Sequence, residues 1–325
     1  MKRFLETIMD KEYFSKATAA EFIHAIGEDA VSDAEIAAIL SGIQFRGVSL
    51  EELDGFREAL LERATKPEID SENCIDVCGT GGDGKDTFNI STTSALVLAA
   101  MGYKVIKHGN YGVSSSCGSS NVLESLGFRF TTDNKEFEAD LRQNNICFLH
   151  APLFHPTLKK VAPVRKQLGV RTIFNSLGPL VNPVQPSFQL TGTYSLELAK
   201  MYQHVLRQNR KAFSVVYAMD GYDEITLTDA TRLLANNNDS IVSAASFGKN
   251  TVNPDHLKSG GTIDKAAEIL TAIANGNGTE AQTNVVAANV ATAIQTIQSG
   301  TTLKDAFDEA QQFIRSGQTA KHFKI

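Results

Sequence analysis

Residues 74–85 read CIDVCGTGGDGK, an apolar run followed at once by four glycines in six positions. A short apolar run bounded by glycine predicts a buried strand. Glycine carries no Cβ atom, so a glycine-rich loop lets backbone N–H groups approach an anion closely. In open parallel sheets, ligands bind where the strands end at their carboxyl edge. We therefore expect Gly79–Gly84 to grip a phosphorylated small metabolite.

Three other interpretations of this loop remain open at this point. The first is a tight turn, although the loop holds more glycine than one turn requires. The second is the dinucleotide fingerprint G-x-G-x-x-G, but the next predicted strand ends in Lys107 rather than in an acid for the ribose hydroxyls. The third is the nucleotide-binding pattern G-x-x-x-x-G-K, but Asp86 follows where a serine or threonine must bind magnesium. The diphosphate of a small metabolite fits best.

The segments on either side of this loop predict two kinds of structure. Capping boxes predict an all-helical start over the first 66 residues, namely Thr18 with Glu21, Ser32 with Glu35, and Ser49 with Glu52. From Cys74 onward, short apolar runs alternate with helical patterns, which predicts βαβ units and a largely parallel sheet. The predicted strands are Cys74–Cys78, Lys104–Lys107, Ile146–Leu149, Gln189–Thr193, Phe213–Ala218 and Glu224–Leu227, with another near Ile241–Ala245 in a segment that otherwise reads as irregular surface. The predicted helices are Thr92–Met101, Ser120–Leu126, Asp133–Gln143, Ser195–Gln208, Asp264–Ala274, Glu280–Gln298 and Leu303–Arg315.

The composition is that of a globular protein long enough for two domains. Of the 325 residues, 42% are hydrophobic and 21% are charged, which disfavours a disordered or fibrous chain. The net charge of −6 offers no basic surface for nucleic acid. The chain has no apolar run of 18 residues, and its first residues become charged before an apolar signal segment develops. We therefore expect neither membrane spanning nor secretion.

The cysteines point to a reducing compartment. Cys74, Cys78, Cys117 and Cys147 lack the C-x-x-C spacing of metal and redox sites. We expect all of them to be reduced thiols with packing roles, as is typical of a cytoplasmic protein.

Further polar segments follow predicted strands and are expected at the same sheet edge. Lys107 opens a loop rich in glycine and serine, so we expect its ammonium to contact phosphate. Asn89–Thr92 place hydroxyls at a helix N-terminus, where the helix dipole favours an anion. Asp223 and Glu224 follow the strand Phe213–Ala218, and magnesium prefers one or two carboxylates completed by water and substrate phosphates. The alternative for these two acids is an ordinary acidic turn.

Several motifs of this chain, taken in order, closely resemble the anthranilate phosphoribosyltransferase family. They lie at residues 76–83, 87–92, 107–110, 162–165, 171–183 and 223–224, and they read DVCGTGGD, TFNIST, KHGN, APVR, RTIFNSLGPLVNP and DE. The resemblance implies an α/β fold like that of nucleoside phosphorylases and phosphoribosyltransferases. It implies a small N-terminal α-helical domain over residues 1–68, with a helical return at about 156–183. A larger α/β domain with a mostly parallel central sheet would then occupy residues 69–325.

The resemblance also implies an activity. Members of the family transfer the phosphoribosyl group of 5-phosphoribosyl 1-pyrophosphate to the amine of anthranilate. The products are N-(5-phosphoribosyl)anthranilate and pyrophosphate, and the step belongs to tryptophan biosynthesis. The implied cofactor is Mg²⁺, and the implied state is a cytoplasmic homodimer with no nucleic acid or membrane partner.

Residue roles are implied where this chain matches the family motifs. Catalytic roles fall to Asp83, Lys107 and Arg165. The implied magnesium ligands are Ser91, Asp223 and Glu224. The implied substrate contacts are Gly79, Gly82, Asp83, Thr87, Asn89, Ile90, Ser91, Thr92, Lys107, His108, Gly109, Asn110, Tyr111, Gly112, Val113, Ser114, Ser115, Ser119, His155 and Arg165.

A few positions depart from the family pattern. Tyr111 stands where an arginine usually follows the KHGN motif, Asn121 where an aspartate is common, and His150 where an aromatic residue is frequent. The missing arginine removes one contact to phosphate or anthranilate. Two rivals are weaker: a nucleoside phosphorylase would lack the acid pair Asp223 and Glu224, and a nucleic-acid-binding relative would need a basic face.

Overall fold

The computed structural model of the chain describes residues 2–112, 117–236 and 238–325. Helices and strands alternate after an all-helical start. The helices are α1 Lys2–Met9, α2 Lys16–Gly27, α3 Asp33–Arg46, α4 Leu50–Glu62, α5 Ile90–Ala100, α6 Ser119–Ser125, α7 Asn134–Gln143, α8 Ala151–Phe154, α9 Pro156–Leu168, α10 Leu196–Asn209, α11 Ile263–Ala274, α12 Glu280–Ile297, α13 Leu303–Arg315 and α14 Gln318–Phe323. The strands are β1 Cys74–Gly79, β2 Lys104–Gly109, β3 Ile146–His150, β4 Phe188–Gly192, β5 Ala212–Ala218, β6 Thr231–Ala235 and β7 Asp239–Val242.

The chain divides into two compact units. The first, called the helical unit here, runs to Lys66 and resumes over His150–Pro183. The second, called the sheet unit, comprises Pro67–Leu149 and Val184–Ile325. The expected domain boundary at residue 68 stays a prediction.

The helical unit is built around a cluster of aromatic side chains. Phe4, Phe14, Phe22 and Phe56 are buried, and their neighbouring rings lie 5.7–6.5 Å apart between centroids. Such tilted and edge-on pairs add to the free energy gained by burying the rings. The aromatic side chains therefore hold α1, α2 and α4 together.

Two of the three predicted capping boxes are confirmed. Ser32 caps α3 and Ser49 caps α4, each in a reciprocal bond with a glutamate three residues later. The box predicted at Thr18 is wrong, because α2 begins earlier and takes Ser15 as its N-cap, whose hydroxyl accepts from the Thr18 N–H at 3.1 Å. Glu21 lies within the helix and pairs with Arg3 instead.

The sheet unit contains, within the residues described, one seven-stranded sheet in the order β3-β2-β1-β4-β5-β6-β7. Strand β1 pairs in parallel with both β2 and β4, and β4 pairs in parallel with β5. Strands β6 and β7 add antiparallel. The chain thus runs outward from β1 to one side and from β4 to the other. In such sheets the crevice between the two directions, at the carboxyl ends of the strands, is the usual ligand site.

One predicted strand is wrong. Residues 224–227 form no strand, because Ile225 exchanges its backbone hydrogen bonds with the side chain of Asn289 in α12 instead of with a neighbouring strand. The backbone at Leu227 has a φ of 59°, which lies outside the extended region. The strand expected near residues 241–245 occupies Asp239–Val242, and its partner Thr231–Ala235 was not predicted.

Among the residues described, an apolar core packs the sheet against its helices. Helix α12 is buried along most of its length and packs against α5 and β4. None of the helices in the described ranges is both long enough and apolar enough to cross a membrane.

Candidate active site

The carboxyl ends of β1 and β4 meet at a pair of glycines. Gly79 of β1 and Gly192 of β4 are direct neighbours in the parallel register. The Thr80 N–H donates to the Gly192 carbonyl at 3.0 Å, so the loop after β1 starts directly above the end of β4. This position is the one at which parallel sheets bind ligands.

Both glycines make room for Asp223. A Cβ atom at Gly79 would overlap the Asp223 carboxylate, and one at Gly192 would overlap the Asp223 backbone carbonyl. In the loop itself, Gly81 and Gly82 have φ of 61° and 70°, a backbone conformation that favours glycine. The Gly81 N–H donates to Asp223 Oδ2 at 2.6 Å. The segment that carries Asp223 is therefore seated on the glycine loop. Sequence reasoning missed Gly192, although a glycine that ends a buried strand is a usable signal of close approach.

Several carboxyl groups lie close together where Asp223 contacts the glycine loop. Burial and, second to it, the charge of Asp83 raise the pKa of Asp223 to about 7. Burial likewise raises the pKa of Glu224 to about 8, with a contribution from Asp223, whereas Lys107 and a hydrogen bond from Ser91 act in the opposite direction. The structure thus brings together the three predicted magnesium ligands and adds Asp83 beside them.

This donor set fits a magnesium ion. Mg²⁺ takes one or two carboxylates and keeps water or phosphate oxygens as its other ligands. In the described ranges, no group of three or more His, Cys, Asp or Glu side chains is placed to hold a metal ion, so water and phosphate oxygens would have to complete the coordination begun by Asp223 and Glu224. Two poorly solvated carboxylates with raised pKa values are costly when ionised, and a bound divalent cation would favour their ionised form.

Lys107 lies inside the same region. The side chain is 2% exposed, and its ammonium donates to the Val77 carbonyl in β1 at 2.5 Å. A buried ammonium needs anionic or polar partners, because desolvation of a charge is unfavourable. The charge of Lys107 acts to lower the pKa of Glu224.

Helix α5 begins beside the acids. Asn89 precedes the helix, and the Asn89 amide donates to the Cys117 carbonyl at 3.2 Å, which ties the two polar loops together. Its Oδ1 is buried with no hydrogen-bond partner in the part of the chain that the structure describes. Ile90 packs in the core, so only its backbone can face a ligand, and Thr92 is 1% exposed. Thr87 forms an isolated bridge with Lys258.

The second loop follows β2. The His108 N–H donates to Asp76 Oδ1 at 3.2 Å, and Gly109 faces the Ser119 side chain. The Asn110 carbonyl accepts from Ser119 Oγ at 3.3 Å. The predicted contacts Val113, Ser114 and Ser115 lie outside the described residues. Tyr111 is 40% exposed and Gly112 is partly buried.

Two predicted substrate contacts belong to the helical unit. Arg165 on α9 donates to Asn175 Oδ1 at 3.3 Å, and its Nε is buried without a partner among the described residues. A guanidinium with an unsatisfied buried N–H suits a planar carboxylate. His155 is 1% exposed, its Nε2 bonds to the Val181 carbonyl at 2.8 Å, and burial lowers its pKa to about 4. His155 is therefore neutral at physiological pH.

Known proteins resemble this chain over its whole length. A model of the glycosyl transferase family, helical bundle domain, matches residues 2–64, and the a/b domain of the same family matches residues 71–320. The anthranilate phosphoribosyltransferase of Christiangramia forsetii is 47% identical over 324 residues, which are 100% of this chain and 98% of that protein. That of Cytophaga hutchinsonii is 44% identical, with 100% and 99% covered. The crystal structure of anthranilate phosphoribosyltransferase from Thermus thermophilus superposes with a TM-score of 0.89 at 28% identity, covering 99% of this chain and 97% of that one. The chain therefore belongs to the glycosyl transferase family, within its group of anthranilate phosphoribosyltransferases.

Proposed function

We propose that this chain transfers the phosphoribosyl group from 5-phosphoribosyl 1-pyrophosphate to the amine of anthranilate, as a step of tryptophan biosynthesis. One observation carries the proposal: the buried acid Asp223, with the half-buried Glu224 next to it, accepts a hydrogen bond from the glycine loop at the point where β1 and β4 end. The nucleoside phosphorylase alternative is weaker, because cleavage by inorganic phosphate needs no such metal-binding acid pair. The relatives that share this fold carry the proposed activity in their names.

The donor binds through the sheet unit in this proposal. The backbone N–H groups of Gly79–Gly84 and the Lys107 ammonium would hold the diphosphate, each charge-assisted hydrogen bond contributing about 1.5–3 kcal/mol. Ser91, Asp223 and Glu224 would hold Mg²⁺, which neutralises charge on the leaving pyrophosphate when it is bound.

The acceptor needs positioning more than activation. The aromatic amine of anthranilate is uncharged at neutral pH and already nucleophilic, so no strong base has to remove a proton before attack. The Arg165 guanidinium would bind the anthranilate carboxylate as a planar fork. The C1–N bond forms as the C1–O bond to pyrophosphate breaks, and the amine then loses one proton. Alignment of the two reactants can lower the barrier by about 7–11 kcal/mol.

A fluorescence assay tests this proposal. The natural protein is mixed with anthranilate, 5-phosphoribosyl 1-pyrophosphate and Mg²⁺, and the loss of anthranilate fluorescence is followed. We expect turnover that stops when the donor is omitted or the metal is chelated. Arg165→Leu should raise the KM for anthranilate by roughly 100-fold, because it removes a charge-assisted fork, and should leave the donor KM nearly unchanged. Folded natural protein that consumes no anthranilate at any magnesium concentration would overturn the assignment.

We also propose a cytoplasmic homodimer. All four cysteines are free and buried, as is usual in a reducing compartment. The helical unit exposes Phe45, Met9 and Tyr13 at 92%, 79% and 53% of their surfaces, which is unusual for large apolar side chains unless another surface covers them. Light scattering after size-exclusion chromatography should give twice the chain mass. Phe45→Ser should shift the protein toward monomer, and an unaltered monomer in both samples would contradict the proposal.

A further inference from the structure

Both ends of the second loop converge on one side-chain atom. Asn121 Oδ1 accepts from the Gly112 N–H and from the Gly118 N–H, each at 3.0 Å. Asn121 is the third residue of α6, and Gly118 is the N-cap of that helix. A single amide oxygen therefore accepts from the N–H of Gly118 at the helix start and also from the N–H of Gly112 in the first part of the loop.

The two ends also touch directly. Gly118 has a φ of −82°, which any residue adopts, so glycine is not required by the backbone angle. It is required by space, because a Cβ atom there would overlap the Gly112 N atom and the Tyr111 backbone. The Ser120 N–H donates to the Asn110 carbonyl at 3.1 Å on the same side. The entrance and the exit of the loop are thus packed against each other.

The exit of this loop is joined to the first polar loop. The Asn89 side chain donates to the Cys117 carbonyl, next to Gly118. Asn89 lies two residues before Ser91, whose hydroxyl bonds to Glu224. A shift of the second loop would therefore displace Asn89 at the start of α5 and, through Ser91, the Glu224 carboxylate.

We propose that Asn121 is a positioning residue for the phosphorylated donor, and this inference rests on the proposed function. It acts through the loop and does not touch the donor itself. Its neutral amide oxygen accepts from two backbone N–H groups, those of Gly112 and Gly118. The roles of Lys107 and Arg165 are unaffected by this assignment.

Asn121→Leu and Asn121→Asp test the proposal on the full chain. Leucine has a similar size but accepts no hydrogen bond, whereas aspartate keeps the accepting oxygen. We expect Asn121→Leu to raise the donor KM about 10- to 100-fold, the equivalent of two hydrogen bonds, and to change the anthranilate KM and kcat by less than about threefold. In Asn121→Asp, which retains the accepting oxygen, the donor KM should stay within about fivefold of that of the natural protein.

A matched control separates position from stability. Asn134 is the first residue of α7, and its Oδ1 also accepts from a backbone N–H, that of Glu68, at 3.2 Å. It lies in another part of the sheet unit. Asn134→Leu should leave both KM values unchanged. Equal changes in kcat and both KM values for Asn121→Leu, or no rescue by aspartate, would reduce Asn121 to an element of the fold and overturn the proposal.

Direct donor binding keeps this test independent of turnover. Calorimetry with 5-phosphoribosyl 1-pyrophosphate and Mg²⁺ measures the donor Kd without anthranilate. If the natural protein binds donor but consumes no anthranilate, the proposed acceptor fails while the Kd of the Asn121 variants still decides the inference. Should Asn121→Leu not fold, Gly118→Ala forces the same loop ends apart through a different atom and should also raise the donor Kd at least about tenfold. An unchanged Kd in the folded variant would overturn the proposal.

Discussion

The two polar loops at the carboxyl edge of the sheet are anchored in different ways. The loop after β1 is held by a carboxylate, since Asp223 Oδ2 accepts from the Gly81 N–H. The loop after β2 is held by a neutral amide, since Asn121 Oδ1 accepts from two N–H groups. The first anchor titrates and attracts a metal ion through its charge, whereas the second is neutral and its oxygen already accepts from two N–H groups. Loops of similar composition can therefore be sensitive to pH and magnesium in one case and insensitive in the other.

Glycine also serves different purposes in the two loops. Gly81 and Gly82 adopt positive φ, which favours glycine whatever surrounds them. Gly118 is required because the backbone of Gly112 and Tyr111 leaves no room for a Cβ atom. In the first loop, backbone conformation explains Gly81 and Gly82 and close approach explains Gly79, whereas the second loop depends on how closely its two ends approach each other.

Removal of the charged anchor should have the largest effect. Asp223→Asn combined with Glu224→Gln keeps the size of both side chains and abolishes their charge. We expect kcat/KM to fall about 1000-fold or more, because the leaving pyrophosphate loses its metal-linked stabilisation. The matched control is Asp229→Asn, an exposed acid that follows in the same segment and should cost little activity. Turnover of the double variant above about a tenth of the natural rate would contradict the assigned role.

Crowding of the charged anchor should have the next largest effect. Gly79→Ala places a Cβ atom against the Asp223 carboxylate and displaces it. We expect activity to fall about 100-fold, as is usual for a displacement of about 1 Å near the chemistry. Gly102→Ala is the control, because Gly102 has a φ of 98° and open space, so it tests backbone strain away from the loop. Thermal unfolding and initial rates are measured for both variants, and a larger loss of activity in the control would exclude the steric explanation.

Magnesium binding should depend on pH because of the first anchor. The pKa values of about 7 for Asp223 and about 8 for Glu224 mean that the metal competes with protons. We expect the magnesium affinity to rise up to about tenfold per pH unit between about pH 6 and pH 8 for each proton displaced. Calorimetry across this range measures it, and Asn121→Leu should leave the slope unchanged because the second anchor does not titrate.

Stability should follow the same linkage with a definite sign. The folded pKa values of the acid pair lie above those of unfolded carboxyls, which are about 4. The favourable contribution is therefore complete below about pH 4, declines as pH rises above it, and is lost once pH has risen through about 7 to 8. Without metal, Tm should fall across this window, and added Mg²⁺ should restore it. A Tm that rises through the window in the absence of metal would contradict the raised pKa values.

The smallest effect is expected at the rim of the second loop. The Tyr111 hydroxyl donates to Glu124 Oε1 at 2.8 Å, on the same helix that carries Asn121. This bond is exposed, so Tyr111→Phe should raise the donor KM by only about threefold or less. A larger effect than that of Asn121→Leu would move the main anchor of the loop to the Tyr111–Glu124 pair. Donor titrations of both variants under identical conditions make the comparison.

The sequence by itself determined those features that depend on near neighbours. Strand β1 and its glycine loop follow from residues 74–85, and the starts of α3 and α4 follow from Ser32 and Ser49. These features rest on hydrogen bonds and backbone preferences within a few residues, so the local pattern is sufficient. The same holds for the parallel character of β1, β2, β4 and β5, which follows from the alternation of strands and helices.

Only the tertiary structure decided which distant residues meet. The Gly81 N–H bonds to a carboxylate 142 positions away, and Gly192 approaches the same residue from another strand. Residues 224–227 look like a strand locally, but Asn289 of α12 takes up the hydrogen bonds of Ile225. In the sequence, Asn121 is only a departure from the family pattern. The structure shows that its Oδ1 accepts from the N–H groups of Gly112 and Gly118. The physical reason is common to all of these: long-range packing assigns partners to backbone N–H and C=O groups, and no short stretch of sequence contains that information.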